Sequence, residues 1–272
     1  EWAERAAGTF TALMEPQTEQ LAERMGDGAA TIVALETGAV LGVMARRVLG
    51  QYELVLPTGD EADTIVFVAP NVFALERSHQ FRPSEFRTWL ALHEATHRAQ
   101  FLGVPWLREH FLSLVTGLVG ARTADPTRWS RVADRVSDAI AESRPLVDEG
   151  GLFALFATEE QQAQVDRIQA LMCLLEGHGH VVMDRIGERI LTTQDRMSRL
   201  LKARRMDPRT AAFFRLTGME MKMRQYELGE KFVNRVTEVA GWDALDAAWT
   251  EPDALPTLPE INDADLWLAR VA

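Results

Sequence analysis

The chain has 272 residues, of which 47% are hydrophobic and 25% charged, a composition typical of a globular protein that buries a sizeable core. Its formal net charge is −11, and an acidic surface repels a phosphate backbone, which argues against a nucleic acid as a partner. The single cysteine, Cys173, excludes an intrachain disulfide and favours a reducing compartment, so we predict a cytoplasmic protein in which Cys173 is a small buried apolar residue.

The N-terminal third predicts one helix followed by a small sheet. Apolar residues recur at helical spacing over residues 1–25. Four short runs with β-like composition follow, separated by glycines, at residues 31–35, 40–43, 52–56 and 64–68. No later segment carries a comparable strand signal. We therefore predict a mainly α fold with a small β-sheet near the N-terminus, which is an α+β class.

From residue 82 onward the pattern is helical. Pro83 suits the first position of a helix, and Gly103 and Pro105 suit its end. Between them one stripe of this helix holds Phe86, Leu90, His93, His97 and Phe101. Further helices are predicted over residues 106–119, 127–143, 159–191, 208–217 and 218–240. The apolar run at residues 111–121 is about half the roughly 20 residues that span a membrane, so no span is expected.

The last residues carry Pro252, Pro256 and Pro259, which indicates an extended tail closed by a short helix at residues 263–271. The predicted organisation is an N-terminal helix and sheet (residues 1–81), a helical catalytic region (82–250) and the tail (251–272), together forming one compact unit.

Residues 93–97 read His-Glu-Ala-Thr-His. On a helix, His93 and His97 lie one turn apart on one face, so their ring nitrogens can converge on one ion. Glu94 points to the neighbouring flank, where it can reach a metal-bound water without being a ligand. Zinc lowers the pKa of that water towards about 7, so a carboxylate can complete its deprotonation. The motif therefore predicts a zinc site with Glu94 as the general base.

Two other interpretations of this motif are weaker. An amphipathic helix could place two histidines at the edge of a core, but the surrounding residues are largely apolar, and buried polar side chains are costly unless paired or metal-bound. Glu94 and His97 also match half of a ferritin-like di-iron site. That site needs a second Glu-x-x-His, and no glutamate after Glu94 has a histidine three residues later.

A mononuclear zinc site needs a third protein ligand, and the best candidates lie around residues 175–180. Glu176, His180 and Asp184 share one stripe of a predicted helix at intervals of four residues. Gly177 and Gly179 predict a close approach by another backbone, which we expect to be the helix that carries the two histidines. A glycine-rich turn with exposed histidines is the alternative. Glu176 is the first choice of ligand and His180 the second.

Four residues are candidates for supporting roles. If Glu176 binds the metal, His180 or His178 could stabilise the oxyanion, and Asp184 could orient a ligand histidine. Tyr226 lies in a polar segment, residues 218–229, and its phenol could also bind the oxyanion. A core tyrosine with a hydrogen-bonded hydroxyl is the alternative for Tyr226.

Several strings of the sequence go beyond the metal motif. They are Val48 to Tyr52, Trp89 to Phe101 continuing into Gly103 to Leu107, Leu175 to His178 with Val182 to Asp184, and Lys222 with Gln225, Tyr226 and Gly229. Through these strings most of the chain resembles the zincin-like hydrolases of actinobacteria and chloroflexi, which are often associated with deazaflavin-coenzyme biosynthesis. The resemblance implies a mainly helical metallopeptidase-like fold with Zn²⁺ at His93 and His97 and with Glu176 as third ligand.

Zinc-dependent hydrolysis of an amide bond, in a peptide substrate, is the function we predict. A non-catalytic, metal-stabilised binding module is the first alternative, and a fourth protein ligand would favour it. A small-molecule amidohydrolase is the second alternative, and a deep closed pocket would favour it.

Overall fold

The computed structural model describes residues 63–120, 159–205 and 220–271, together with residues 48–52 and Gly38, Gly42, Ala45 and Arg46. Within this part of the chain the fold is mainly helical, which confirms the mainly helical part of the prediction. Two three-residue strands, β1 (Gly50–Tyr52) and β2 (Ile65–Phe67), pair antiparallel with Gly50 opposite Phe67. The predicted run 31–35 lies outside the described residues, and Gly42, inside the run 40–43, is helical rather than extended.

The helices before the gap at residues 121–158 are α1 (Ala69–His79), α2 (Pro83–Gly103) and α3 (Leu107–Gly120). The boundaries of α2 confirm the prediction, since Pro83 is its first residue and Gly103 its last. Proline fits the first turn of a helix because its missing N–H has no partner within the helix there. After the gap come α4 (Glu159–Ile190) and α5 (Gln194–Arg205).

The remaining helices of the described residues are α6 (Glu220–Ala240), α7 (Trp242–Asp246), α8 (Leu258–Asn262) and α9 (Ala264–Val271), with 3₁₀ turns at Ala247–Trp249 and Pro252–Ala254. No helix of the described residues is both long and apolar enough to cross a membrane.

Two compact units are distinguished, which we call the N-terminal and C-terminal units. The N-terminal unit comprises the chain up to Leu112 together with Val182–Leu200. Its described part holds the strands, α1, α2, the start of α3, the last turns of α4 and the first part of α5. Apolar side chains buried in this unit include Phe86, Trp89, Leu90, Phe101, Met183 and Met197. Helix α2 therefore buries the stripe on which the sequence places the two histidines.

The C-terminal unit comprises Ser113–Val181 and Leu201–Ala272. Its core joins α4 and α6 to the last helices through Leu174, Phe232, Val233, Val236, Leu245 and Trp267. The Trp267 side chain is completely buried, and its indole N–H donates to the carbonyl of Ala254 at 2.9 Å. Helix α9, which carries Trp267, is thus part of the core of the C-terminal unit.

The prediction of an extended tail is wrong for this segment. Residues 252–271 form a 3₁₀ turn and two short helices. Pro252 and Pro259 occupy first-turn positions, where proline is compatible with helical structure. Thr257 caps α8 through reciprocal hydrogen bonds with Glu260, and Glu260 also pairs with Arg270 at 2.6 Å. The short closing helix was predicted within one residue of its observed start.

Candidate metal centre

The two histidines of α2 are arranged as a pair of metal ligands would be. Both side chains are half-buried, and the Nε2 atoms of His93 and His97 lie 3.3 Å apart. Two nitrogens that each lie about 2.0–2.1 Å from a tetrahedral zinc ion are separated by about 3.3–3.4 Å. The spacing of one helical turn therefore gives the separation that a shared zinc ion requires.

Gln100 supports His97 from the next turn of α2. Its side-chain oxygen lies 2.9 Å from Nδ1 of His97, and the glutamine is only 6% exposed. With the imidazole proton on Nδ1 and donated to this oxygen, Nε2 presents its lone pair, which is the form that binds a metal. No role was predicted for Gln100, although its position three residues after His97 is a usable signal for such a contact.

His93 is supported by an aromatic side chain instead. The ring of Trp89, one turn earlier, lies 6.3 Å from the His93 ring at an interplanar angle of 5°. Phe86 continues the stack beyond Trp89, with centroids 6.3 Å apart. Trp89 and Phe86 are buried, so the His93 ring is held in plane by side chains that cannot move far.

Glu94 is 5% exposed and lies against strand β1. A Cβ atom built on Gly50 would be 2.9 Å from Glu94 Oε1 and 3.1 Å from Glu94 Cγ. The backbone of β1 therefore covers one side of this carboxylate. The spacing of the motif predicts Glu94 on the flank of the histidine pair, but no local pattern indicates which element covers it.

Glu176 and His180 lie on α4 and are 6% and 3% exposed. The alternative of a glycine-rich turn with exposed histidines is wrong, because α4 is continuous from Glu159 to Ile190. The predicted close approach at Gly177 is present, but its partner is α6 and not α2. A Cβ atom at Gly177 would be 2.0 Å from the carbonyl carbon of Gly229, and one at Gly229 would be 1.8 Å from the carbonyl oxygen of Cys173.

One group of side chains among the described residues could hold a metal ion, and it consists of His93, His97 and Glu176. One ligand atom from each of these residues lies within 4.8 Å of the other two. Two imidazole nitrogens and one carboxylate oxygen are a donor set that zinc accepts, and a catalytic zinc site keeps a fourth position for water. The three residues fit the predicted ion. Neither Glu94 nor His180 belongs to this group.

The other candidates are placed as follows. Asp184 accepts a hydrogen bond from Nε2 of the buried Gln194 at 2.6 Å. The ring of His178 meets the rings of Trp242 and Trp249 edge-on, at 6.2 and 5.4 Å. The structure describes the backbone of Tyr226 within α6 and not its side chain. The catalytic roles suggested for His178, His180, Asp184 and Tyr226 remain predictions.

Two further side chains can be assigned a structural role. Burial, and to a smaller extent the charge of Glu176, raise the pKa of the Cys173 thiol to about 12, which confirms the small buried apolar residue and makes it a poor nucleophile. Glu76, which has His79 three residues later, binds Arg87 through both carboxylate oxygens at 2.7 and 2.9 Å. The carboxylate of this Glu-x-x-His is thus paired with an exposed arginine of α2, and it gives no support to a di-iron site.

Taken from its residues, the site is a candidate metal centre of two imidazoles and one carboxylate beside a buried glutamate. The chain belongs to the zincin-like metallopeptidase family, whose model matches residues 1–268. A solved structure from Chloroflexus aurantiacus, described as a "putative hydrolase with a novel fold", is 30% identical to this chain with a TM-score of 0.71. That similarity covers 99% of this chain and 77% of the other. No match was found among curated proteins.

The family match confirms the zincin-like part of the resemblance described above. Neither comparison supports the association with deazaflavin-coenzyme biosynthesis.

Proposed function

We propose that this protein is a zinc-dependent hydrolase that cleaves an amide bond in peptides. The observation that carries the proposal is the group formed by His93, His97 and Glu176, with the two Nε2 atoms 3.3 Å apart, in a member of a metallopeptidase-like family. His93, His97 and Glu176 are the proposed ligands. When bound there, zinc supplies a Lewis acid and lowers the pKa of a water molecule.

The chain's own residues transfer the proton and orient the two imidazoles. Glu94 takes a proton from the attacking water and later gives it to the leaving amine. Its burial removes competing water, so its proton reaches the substrate and not the solvent. Gln100 and Trp89 hold the two imidazoles in the orientation that binds the metal.

The test compares the parent with Glu94→Gln. Zinc content is measured by elemental analysis, and cleavage is measured by mass spectrometry of a mixed peptide library. We expect about one zinc per chain in both proteins and a loss of about 10²- to 10⁴-fold in kcat for the variant, the usual contribution of general acid–base catalysis. Glu109→Gln, at an exposed glutamate on α3, is the matched control and keeps full activity.

Three results from the same experiments would contradict parts of the proposal. A folded parent that has met no chelator and holds no stoichiometric zinc contradicts the metal site. Zinc that is retained in a Glu176→Ala variant but lost in a His180→Ala variant would show that His180, and not Glu176, is the third ligand. Cleavage of small amides without cleavage of peptides would show that the substrates are small amides and not peptides.

A further inference from the structure

Strand β1 and the buried carboxylate of α2 leave little room for a side chain at Gly50. The site that a Cβ atom would take there is already filled on two sides. Glu94 Oε1 is 2.9 Å and Phe67 Cδ1 is 3.1 Å from that point, so these two atoms are no more than 6.0 Å apart. Both contacts lie within the N-terminal unit.

The paired strands therefore restrict the carboxylate from one side. Gly50 and Phe67 face one another in the register of the two strands, and the Phe67 ring is 43% exposed. Glu94, in contrast, is almost fully buried, and its rotamers are limited by whatever backbone lies beside it. The backbone beside the Glu94 carboxylate is that of Gly50, which has no side chain.

We propose that Gly50 is a positioning residue for Glu94. The bare backbone at this position sets the orientation of the carboxylate, and any side chain there forces the carboxylate away from it. The inference rests on the proposed function, in which Glu94 must be aimed at the attacking water. A displacement of about 1 Å at such a group can lower a rate about 100-fold.

The contact also predicts that the fold tolerates the change. The atom nearest to the added methyl group is the far end of a flexible side chain, so a small shift of the carboxylate relieves the contact at little cost. None of the three atoms nearest to the added methyl group belongs to the proposed ligands His93 and His97. Gly50→Ala is therefore expected to keep its zinc and its fold while kcat falls about 100-fold and KM changes little.

The experiment uses the full chain with Gly50→Ala, Glu94→Ala and the double variant, each analysed for zinc, Tm, kcat and KM. Gly103→Ala is the matched control, because a Cβ atom at Gly103 meets nothing within 4 Å. If Gly50 acts through Glu94, the loss of Tm caused by Gly50→Ala is smaller in the Glu94→Ala background, where the clashing carboxylate is gone and only the contact with Phe67 remains.

Three results overturn the inference. They are loss of zinc in Gly50→Ala, an unchanged kcat in that variant, and an equal loss of Tm in both backgrounds. The last result is independent of activity. A parent that cleaves no peptide contradicts the proposed function itself, whereas an active parent with a fully active Gly50→Ala variant contradicts only the role of Gly50.

Discussion

The two helices that carry the proposed ligands hold them in different ways. On α2 the support comes from side chains, since Gln100 contacts His97 and Trp89 stacks on His93. On α4 the support comes from the backbone, because Gly177, next to Glu176, meets Gly229 of α6 with no room for a methyl group. Side chains can rotate and backbones cannot, so changes on α2 should alter the site before they alter the fold, and changes at Gly177 should do the reverse.

The largest expected effect breaks the backbone contact. Gly177→Ala places a methyl group 2.0 Å from the carbonyl carbon of Gly229, and neither helix can yield without moving core residues. We expect a loss of about 3 kcal/mol or more in the free energy of unfolding, the upper range for overpacking. Chemical denaturation measures it.

Gly103→Ala is the control for this substitution, because its methyl group meets open space at the end of α2. There the replacement is neutral or stabilising by about 0.5–1 kcal/mol. Equal stabilities for the two variants would contradict the distinction drawn between α2 and α4.

The next effect is on zinc affinity and not on the fold. Gln100→Leu removes the acceptor that holds Nδ1 of His97 while keeping a side chain of similar size. Loss of such a supporting contact lowers metal affinity by about 10- to 100-fold. Competition against a chromophoric chelator measures the affinity, and an unchanged Tm of the zinc-free protein is the expected companion result. An unchanged affinity would show that Gln100 does not orient His97.

The smallest effect concerns the start of α2. Hydrogen bonds from Thr193, then from Thr192, lower the pKa of the Glu85 carboxyl from 4.5 to about 2. A carboxyl whose pKa is lowered by folding contributes stability that is complete above its unfolded pKa, near 4.5, and is lost as the pH falls through about 2. The parent should therefore lose more Tm between pH 4.5 and 2 than Glu85→Gln does. Parallel losses in the two proteins would show that the bonds to Thr192 and Thr193 contribute nothing.

What the sequence predicted and what it missed follow from the range of each interaction. The limits of α2 and the pairing of its histidines depend on residues within four positions, and both were predicted from spacing. The contact of Gly50 with Glu94 joins residues 44 positions apart (94 − 50), and that of Gly177 with Gly229 joins residues 52 apart (229 − 177). A pair of glycines shows that another backbone comes close but does not say which one.

The prediction for the C-terminal segment was wrong for a different reason. Its prolines were interpreted as breakers of helical structure, although proline in a first turn is compatible with a helix. The deciding signals were the Thr257 and Glu260 capping pair and the spacing that buries Trp267. These signals are local, so a closer interpretation of the sequence could have found them.

The crossing of Gly177 and Gly229 also limits how this protein can evolve. A methyl group on either residue strikes the main chain opposite it, so the clash is not relieved by changing the other side chain. Two successive single substitutions are therefore blocked in both orders, and no compensating change at the partner opens a route. This pair is held by contact with the main chain itself, and with it the helical turn that carries Glu176.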